Sequence, residues 1–281
     1  MTPRLVSLLI GAAAAAALYG PVLSRLVAQW LEDRDNSHGL LLVLAAAFLL
    51  RRRWAALRAV PTDGRDAGLA MLVVALFVYT VGTLGADIFL PRLSLPLAMA
   101  GCVLALCGRR QLRLATAPLL LLLLAIPLPG VLMAWLTLPL QLMSSQIAAA
   151  TLQAAQMEVL RQGNVLTLPH ITLEVVEACS GLQSAVSLVS VAAVTAAGLS
   201  LSGPRSMFLL AAAIPIAVVG NGLRVAASGI LSQWFGEAAL KGPLHDATGY
   251  VAFIVMCGVL LAVHLGTRRL PRVPAMRPEV A

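Results

Sequence analysis

Residues 207–224 read MFLLAAAIPIAVVGNGLR, an apolar run that ends in Arg224. The run approaches the ~20 residues with which a helix crosses the hydrocarbon core of a bilayer. Similar runs recur along the chain, of which 60% is hydrophobic and only 11% charged. A water-soluble protein of 281 residues cannot bury that much apolar surface, so the sequence predicts an all-α polytopic membrane protein.

Hydropathy predicts eight spanning helices. They cover residues 5–28, 39–50, 67–84, 94–107, 114–136, 182–201, 207–223 and 249–266. The first resembles the apolar part of a signal peptide, but the many later spans favour a retained helix. Because the second and fourth are short, we expect them to extend into flanking polar residues or to tilt.

Basic residues predict the orientation in the membrane. Of the 20 Lys and Arg residues, 14 lie at the two termini and in alternate loops, which by the positive-inside rule places both termini in the cytoplasm. We therefore expect residues 1–270 to form the transmembrane domain and 271–281 a short cytoplasmic tail. The net charge of +8 therefore reflects membrane topology. Nucleic-acid binding is disfavoured, because the sequence has no basic stripe interleaved with aromatic residues.

The longest segment predicted on the non-cytoplasmic side is 137–181. Its first part, 140–161, mixes polar and apolar residues as an interfacial or partly buried amphipathic helix does. The β-branched stretches 165–168 and 171–176 then predict a small β-hairpin, which leads to the start of the sixth span.

Cysteine usage singles out one residue. No CxxC spacing occurs, and Cys102, Cys107 and Cys257 lie in apolar runs where cysteine behaves as a small hydrophobic residue. Neither a disulfide framework nor a metal site is expected. Cys179 lies at a membrane boundary at the start of a helix, where amide N–H groups and the helix dipole favour a thiolate nucleophile.

Two further side chains are expected on the same side of the membrane. Arg224 ends the seventh span, where a charge costs several kcal/mol unless it is paired, and His245 precedes the eighth. Acyl transfer needs a thiolate, a group that exchanges protons and a cation for the oxyanion, which Cys179, His245 and Arg224 would supply. Taken singly, these residues could be a structural cysteine, a packed histidine and an arginine that reaches lipid headgroups.

The combined motif is similar to that of a known family. The stretch EACSGLQS at 177–184, Asn221-Gly-Leu-Arg224, and His245 followed by Gly249 resemble the exosortase and archaeosortase family of membrane transpeptidases. Further similarity lies at residues 37–39, 51–54, 138–153 and 163–164, so the resemblance covers most of the chain.

The resemblance implies a cysteine protease or transpeptidase without a cofactor, in which Cys179, Arg224 and His245 are catalytic. Its substrates would be membrane-anchored proteins that end in a Pro-Glu-Pro motif, a transmembrane helix and a basic tail. The enzyme would cut near that motif and pass the protein to an acceptor. It would be a multi-pass protein of a bacterial inner membrane, in contact with lipid, with its active site on the periplasmic face.

Other residues of the motif are supporting candidates. Glu177 and Gln183 are candidates to line the cleft, and Ser180 and Gly181 lie between them in the same motif. Asn221, one helical turn before Arg224, either orients the arginine or packs between helices.

Two rival functions use the same residues. A transporter or channel could place Arg224 and Asn221 along a substrate path, but the sequence has no inverted repeat and no intramembrane acid suited to coupling. A serine intramembrane protease could use Ser180 with His245, but Ala178 stands where the Gly-x-Ser pattern needs glycine. Metalloprotease chemistry is disfavoured by the absence of HExxH.

Overall fold

The structure is a computed structural model that describes residues 3–33, 36–60, 62–64, 66–175, 181–201 and 203–267. Within these residues the helices are α1 (Pro3–Glu32), α2 (His38–Arg52), α3 (Trp54–Ala59), α4 (Asp66–Leu84), α5 (Phe89–Leu106), α6 (Arg109–Leu124), α7 (Gly130–Ala154), α8 (Leu182–Gly198), α9 (Gly203–Phe235) and α10 (Pro243–Thr267). The strands are β1 (Leu160–Gln162), β2 (Val165–Thr167) and β3 (Thr172–Glu174).

The prediction of a mostly helical protein is confirmed, whereas the number of eight spans is not. Five helical stretches of the described residues have the length and apolar composition to cross a membrane: Asp66–Leu84, Phe89–Leu106, Gly130–Ala154, Gly203–Ala239 and Pro243–Thr267. The fifth predicted span, 114–136, is broken between α6 and α7. Pro127 and Pro129 lie at that break, where each removes a backbone N–H and disfavours helix in the residue before it.

The chain forms two compact units, one of Met1–Ala134 with Ala197–Leu199 and the other of Trp135–Ala196 with Ser200–Ala281. In the first unit, α4 and α5 pack at close range because each brings glycine to the contact. Gly68 lies against the backbone of Ala105, and Gly101 lies against Leu72. Small residues at such a contact let two helix backbones approach, which is how helices associate in lipid.

In the second unit, α8, α9 and α10 share an apolar core. Its buried members are Ala185, Leu188, Ala192, Leu209, Ala213, Ala217, Met256 and Leu260. Alanine is frequent there, and Gly220 of α9 lies directly against Met256 of α10. This close packing fixes the three helices whose ends carry the candidate site.

The amphipathic helix expected over 140–161, interfacial or partly buried, is observed as the second half of α7 followed by β1. Ser144 and Ser145 are fully buried, whereas Gln146 and Gln153 are exposed, as are Leu138 and Met143. The helix is therefore partly buried, and two of its hydroxyls point into the protein.

The predicted hairpin is present as β2 and β3, and β1 adds a third strand that the sequence did not suggest. The order is β1-β2-β3, with Gln162 opposite Val165 and Val165 opposite Glu174 in antiparallel pairs. Leu166 and Leu173 point to one face, where they pack with Leu152 of α7 and Ala226 of α9. The sheet is thus fastened to the two helices that carry the polar residues described below.

Residues 224–248 were expected to form an external loop, but α9 continues through Arg224 to Phe235 and a 3-10 turn follows. No proline interrupts this stretch, Gly229 packs against Leu152 and Leu173, and the chain turns only near Gly236, at φ +55°. Arg224 lies about 32 Å along α9 from Gly203, which is close to the ~30 Å thickness of the hydrocarbon core. The last turns of α9 therefore extend past one core thickness.

We predict that Gly68→Ala weakens the first unit, because its Cβ would overlap the backbone of Ala105. The expected loss is about 1–3 kcal/mol of unfolding free energy, measured as a lower melting temperature in detergent. Gly20→Ala is the matched control, since no atom lies within 4 Å of its added Cβ. Equal melting temperatures for the two variants would contradict the close α4–α5 contact.

Candidate functional site

Arg224 and His245 form the central contact of the candidate site. Nη2 of Arg224 on α9 lies 3.0 Å from Nε2 of His245, three residues into α10. Guanidinium nitrogens only donate hydrogen bonds, so Nε2 of His245 must be the acceptor. A neutral imidazole carries one proton, which in this arrangement sits on Nδ1.

Gly249 leaves room for the guanidinium of Arg224 beside α10. A Cβ at this position would lie 3.2 Å from both Cζ and Nη2 of Arg224. His245 and Gly249 are four residues apart and therefore lie on one face of the helix, with the guanidinium against both. The backbone of Ala239, in the 3-10 turn, also lies next to the imidazole ring.

Arg224 retains hydrogen-bonding capacity in this position. Its Nε is buried and has no hydrogen-bond partner within the part of the chain that the structure describes. A buried donor of this kind costs about 1–3 kcal/mol when it is unsatisfied. The guanidinium can therefore bind an additional oxygen without first breaking a contact made by Nε.

Asn221, one turn earlier on α9, faces α7. Its Nδ2 donates to Oγ of Ser144 at 3.0 Å, and both residues are almost fully buried. The next residue, Gly222, lies against Ile147 and the carbonyl oxygen of Ser144. This hydrogen bond joins two helices, so the described contact of Asn221 is an interhelical one.

Gly181 lies directly over the Asn221 side chain. A Cβ on Gly181 would be 3.1 Å from Cβ and Nδ2 of Asn221, and its φ of +84° also favours glycine. Gly181 follows Cys179 by two residues in the chain. Asn221 therefore restricts the position of Gly181, the residue directly before α8.

Val175, on the other side of Cys179 in the sequence, is held in place as well. Val175 is buried, its N–H donates to the carbonyl of Asn164 at 2.9 Å, and its carbonyl accepts from Nδ2 of Asn164 at 3.1 Å. The neighbouring turn residue, Gly163, accepts a 2.9 Å hydrogen bond from Ser145 of α7. Residues 176–180 thus connect two anchored points.

Among the residues predicted from sequence, Glu177, Cys179 and Ser180 lie outside the described residues. Gln183 is in the first turn of α8 and is half-buried. The predicted meeting of Arg224 with His245 is observed in the structure. That Cys179 joins them stays a prediction.

Sequence reasoning missed Ser144 and Ser145. Both lie in the segment predicted to be an interfacial or partly buried amphipathic helix, and no partner was predicted for either. In the structure Ser144 accepts a hydrogen bond from Asn221, and Ser145 donates one to the carbonyl of Gly163. Two adjacent serines inside an otherwise apolar helix were the available signal, because buried hydroxyls need hydrogen-bond partners. Their partners, however, lie far away in the sequence.

A comparison with protein families found a match to most of the chain. The family model described as transmembrane exosortase matches residues 30–262, which include every residue of the candidate site. The chain belongs to the transmembrane exosortase family. This exosortase is accordingly a multi-pass membrane protein, and its family supports a general role in protein sorting. Searches of curated proteins and of solved structures found no match.

We predict that Gly249→Ala greatly impairs the exosortase while leaving it folded. The added methyl would push the guanidinium away from His245, and a displacement of about 1 Å at a reacting group can cost about a hundredfold in rate. The measurement is processing of a co-expressed sorting substrate, normalised to enzyme in the membrane.

Gly258→Ala is the control for this change, because it lies in the same helix with no atom within 4 Å of its added Cβ. It should keep wild-type processing and raise helix stability slightly. Wild-type processing by Gly249→Ala would show that the placement of Arg224 against α10 is unimportant.

A separate prediction concerns Ser144→Ala, which removes the buried hydroxyl that accepts a hydrogen bond from Nδ2 of Asn221. The expected destabilisation is about 1–3 kcal/mol, read from thermal unfolding in detergent. Ser190→Ala is also a buried change, but it removes only a bond to Val186 within one helix and should cost less. An equal effect of the two substitutions would argue against the interhelical bond as an anchor.

Proposed function

We propose that this exosortase is a cysteine transpeptidase or protease that cuts the C-terminal sorting signals of exported proteins. The observation that carries the proposal is the 3.0 Å contact between Arg224 and His245, two residues of the family motif that come from different helices. The anchoring of Val175 and Gly181 on either side of Cys179 supports it further.

Cys179 is the nucleophile in this proposal. Its sulfur attacks the scissile carbonyl carbon, the C–N bond breaks, and the substrate is held as a thioester. His245 takes the thiol proton and delivers it to the departing amine nitrogen. An acceptor amine, hydroxyl or water then attacks the thioester and releases the thiol, which completes either transfer or hydrolysis.

Arg224 changes its partner during this cycle. At rest its Nη2 donates to Nε2 of His245, so that this nitrogen cannot take a proton. When a substrate carbonyl enters, the guanidinium turns its N–H groups to that oxygen, and Nε adds a second donor for the developing oxyanion. Nε2 of His245 is thereby released to accept the proton of Cys179.

The substrates follow from the family resemblance described above. They carry a Pro-Glu-Pro motif, one transmembrane helix and a basic tail, and they meet the enzyme at the periplasmic face of a bacterial inner membrane. A substrate anchored by its own helix presents the scissile bond at the bilayer boundary, and anchoring raises its effective concentration. Arg224 lies about one hydrocarbon-core thickness along α9 from Gly203, which is the depth expected of a site at the bilayer boundary.

The decisive test replaces Cys179 by alanine and follows a co-expressed substrate that has a Pro-Glu-Pro tail. We expect processing to cease, because no other side chain would supply the thiolate. Cys257→Ala removes a cysteine of α10 and should leave processing intact. Mass spectrometry of the new substrate C-terminus separates transfer, which adds a group, from hydrolysis, which does not.

Two results would contradict the proposal in different ways. Undiminished processing by Cys179→Ala would remove the thiolate from the mechanism, and loss of processing in Ser180→Ala with activity in Cys179→Ser would favour the serine protease. Absence of any cleavage by wild-type enzyme across substrates with and without the motif would leave the transporter as the better interpretation.

A further inference from the structure

A second arginine needs an explanation that the catalytic proposal does not give. Arg92 lies in the first turn of α5, in the first unit, and only 9% of its surface is exposed. None of its guanidinium nitrogens is among the buried polar atoms without a partner, so the charged group reaches solvent while its apolar stem is packed against the protein. The guanidinium is therefore held in place and open to a ligand.

Within the described residues, no side chain or carbonyl compensates Arg92. It has neither an ion pair nor a hydrogen bond there, and no carboxylate contributes to its electrostatic surroundings. The closest acid in the sequence, Asp87, instead accepts the N–H of Leu90 at 2.6 Å and caps the start of α5. Its carboxylate is engaged at the backbone.

The surroundings of Arg92 add positive charge. Arg25 of α1 interacts electrostatically with it, and Arg25 is exposed at the surface. The N-terminal turn of α5 carries the positive end of the helix dipole, which also repels a cation. Arg25 and the start of α5 thus both add positive potential at the Arg92 guanidinium, where a bound negative charge would be favourable.

The three helices around this place are held together by polar contacts. Tyr19 of α1 lies 3.1 Å from Oγ of Ser94 on α5, and Tyr79 of α4 donates to the carbonyl of Leu18 at 3.0 Å. The rings of Tyr19 and Tyr79 meet edge to face at 5.5 Å. Because Ser94 is two residues from Arg92, the arginine is set in a fixed frame.

We propose that Arg92 and Arg25 bind the phosphate group of an anionic ligand, supplied by a phospholipid headgroup or as free phosphate. Arg92 lies about 5 Å from the start of a candidate span, which is where phosphate groups of a bilayer are found. The planar guanidinium can hold two phosphate oxygens at once. This site uses no residue of the proposed catalytic set and goes beyond that function.

The test uses the full chain purified in neutral detergent. Phosphatidylglycerol is added, and its retention is counted by native mass spectrometry and followed by the rise in melting temperature. Diacylglycerol supplies the same acyl chains without phosphate, and inorganic phosphate supplies the anion without the chains. Arg92→Gln and Arg25→Gln are compared with Arg110→Gln, an exposed arginine at the start of α6.

We expect phosphatidylglycerol to bind wild type and Arg110→Gln equally, and to bind Arg92→Gln and Arg25→Gln about tenfold more weakly, the scale of one lost charge-assisted bond. Diacylglycerol should have no effect. A melting shift by inorganic phosphate that depends on Arg92 would assign the site to free phosphate as well as to lipid.

The proposal fails if both glutamine variants retain phosphatidylglycerol as wild type does, or if diacylglycerol stabilises equally. Arg25→Gln keeps the test independent of folding, because it changes an exposed side chain even where Arg92→Gln proves unstable. Arg92→Lys offers a further check, since it keeps the charge but loses the planar fork and should bind with intermediate affinity.

Discussion

Lipid offers no hydrogen bonds, so a polar side chain in an apolar helix must find its partner inside the protein. Arg224 is subject to this constraint most strongly, because it combines a full charge with an otherwise apolar run. His245 supplies an acceptor for it, and Gly249 supplies the room. The pairing of Asn221 with Ser144 follows the same rule one turn away and holds α7 against α9.

The same constraint links stability to chemistry in this exosortase. The guanidinium of Arg224 is stabilised by His245, and in the proposed mechanism it exchanges that partner for a substrate oxygen. Asn221 is used twice, as a donor to Ser144 and as the surface against which Gly181 packs. Arg92 shows the converse case, in which a mostly buried side chain presents a cation that has no anionic partner among the described residues.

The sequence predicted features that depend on local composition. The apolar runs gave α4, α5 and α10, and the β-branched stretches gave β2 and β3. What the sequence did not predict depends mostly on long-range contacts. No partner was predicted for the serines of α7, because the sequence does not reveal that Asn221 and Gly163 lie across from them. The stretch expected as a loop after Arg224 is helical to Phe235, and Gly229 within it packs against Leu152 and Leu173.

By itself the sequence determined that this protein enters a membrane, that it resembles exosortases, and that Arg224 and His245 are candidate partners. Those conclusions need only residue types and their order, since hydropathy and motif spacing are properties of the chain. The tertiary structure decided that Nη2 of Arg224 contacts Nε2 of His245. It also decided that Gly249 leaves room for Arg224, that Gly181 leaves room for Asn221, and that Ser144 accepts a hydrogen bond from Asn221. These are contacts between helices far apart in sequence, and only the packing of their backbones brings such atoms within hydrogen-bonding distance.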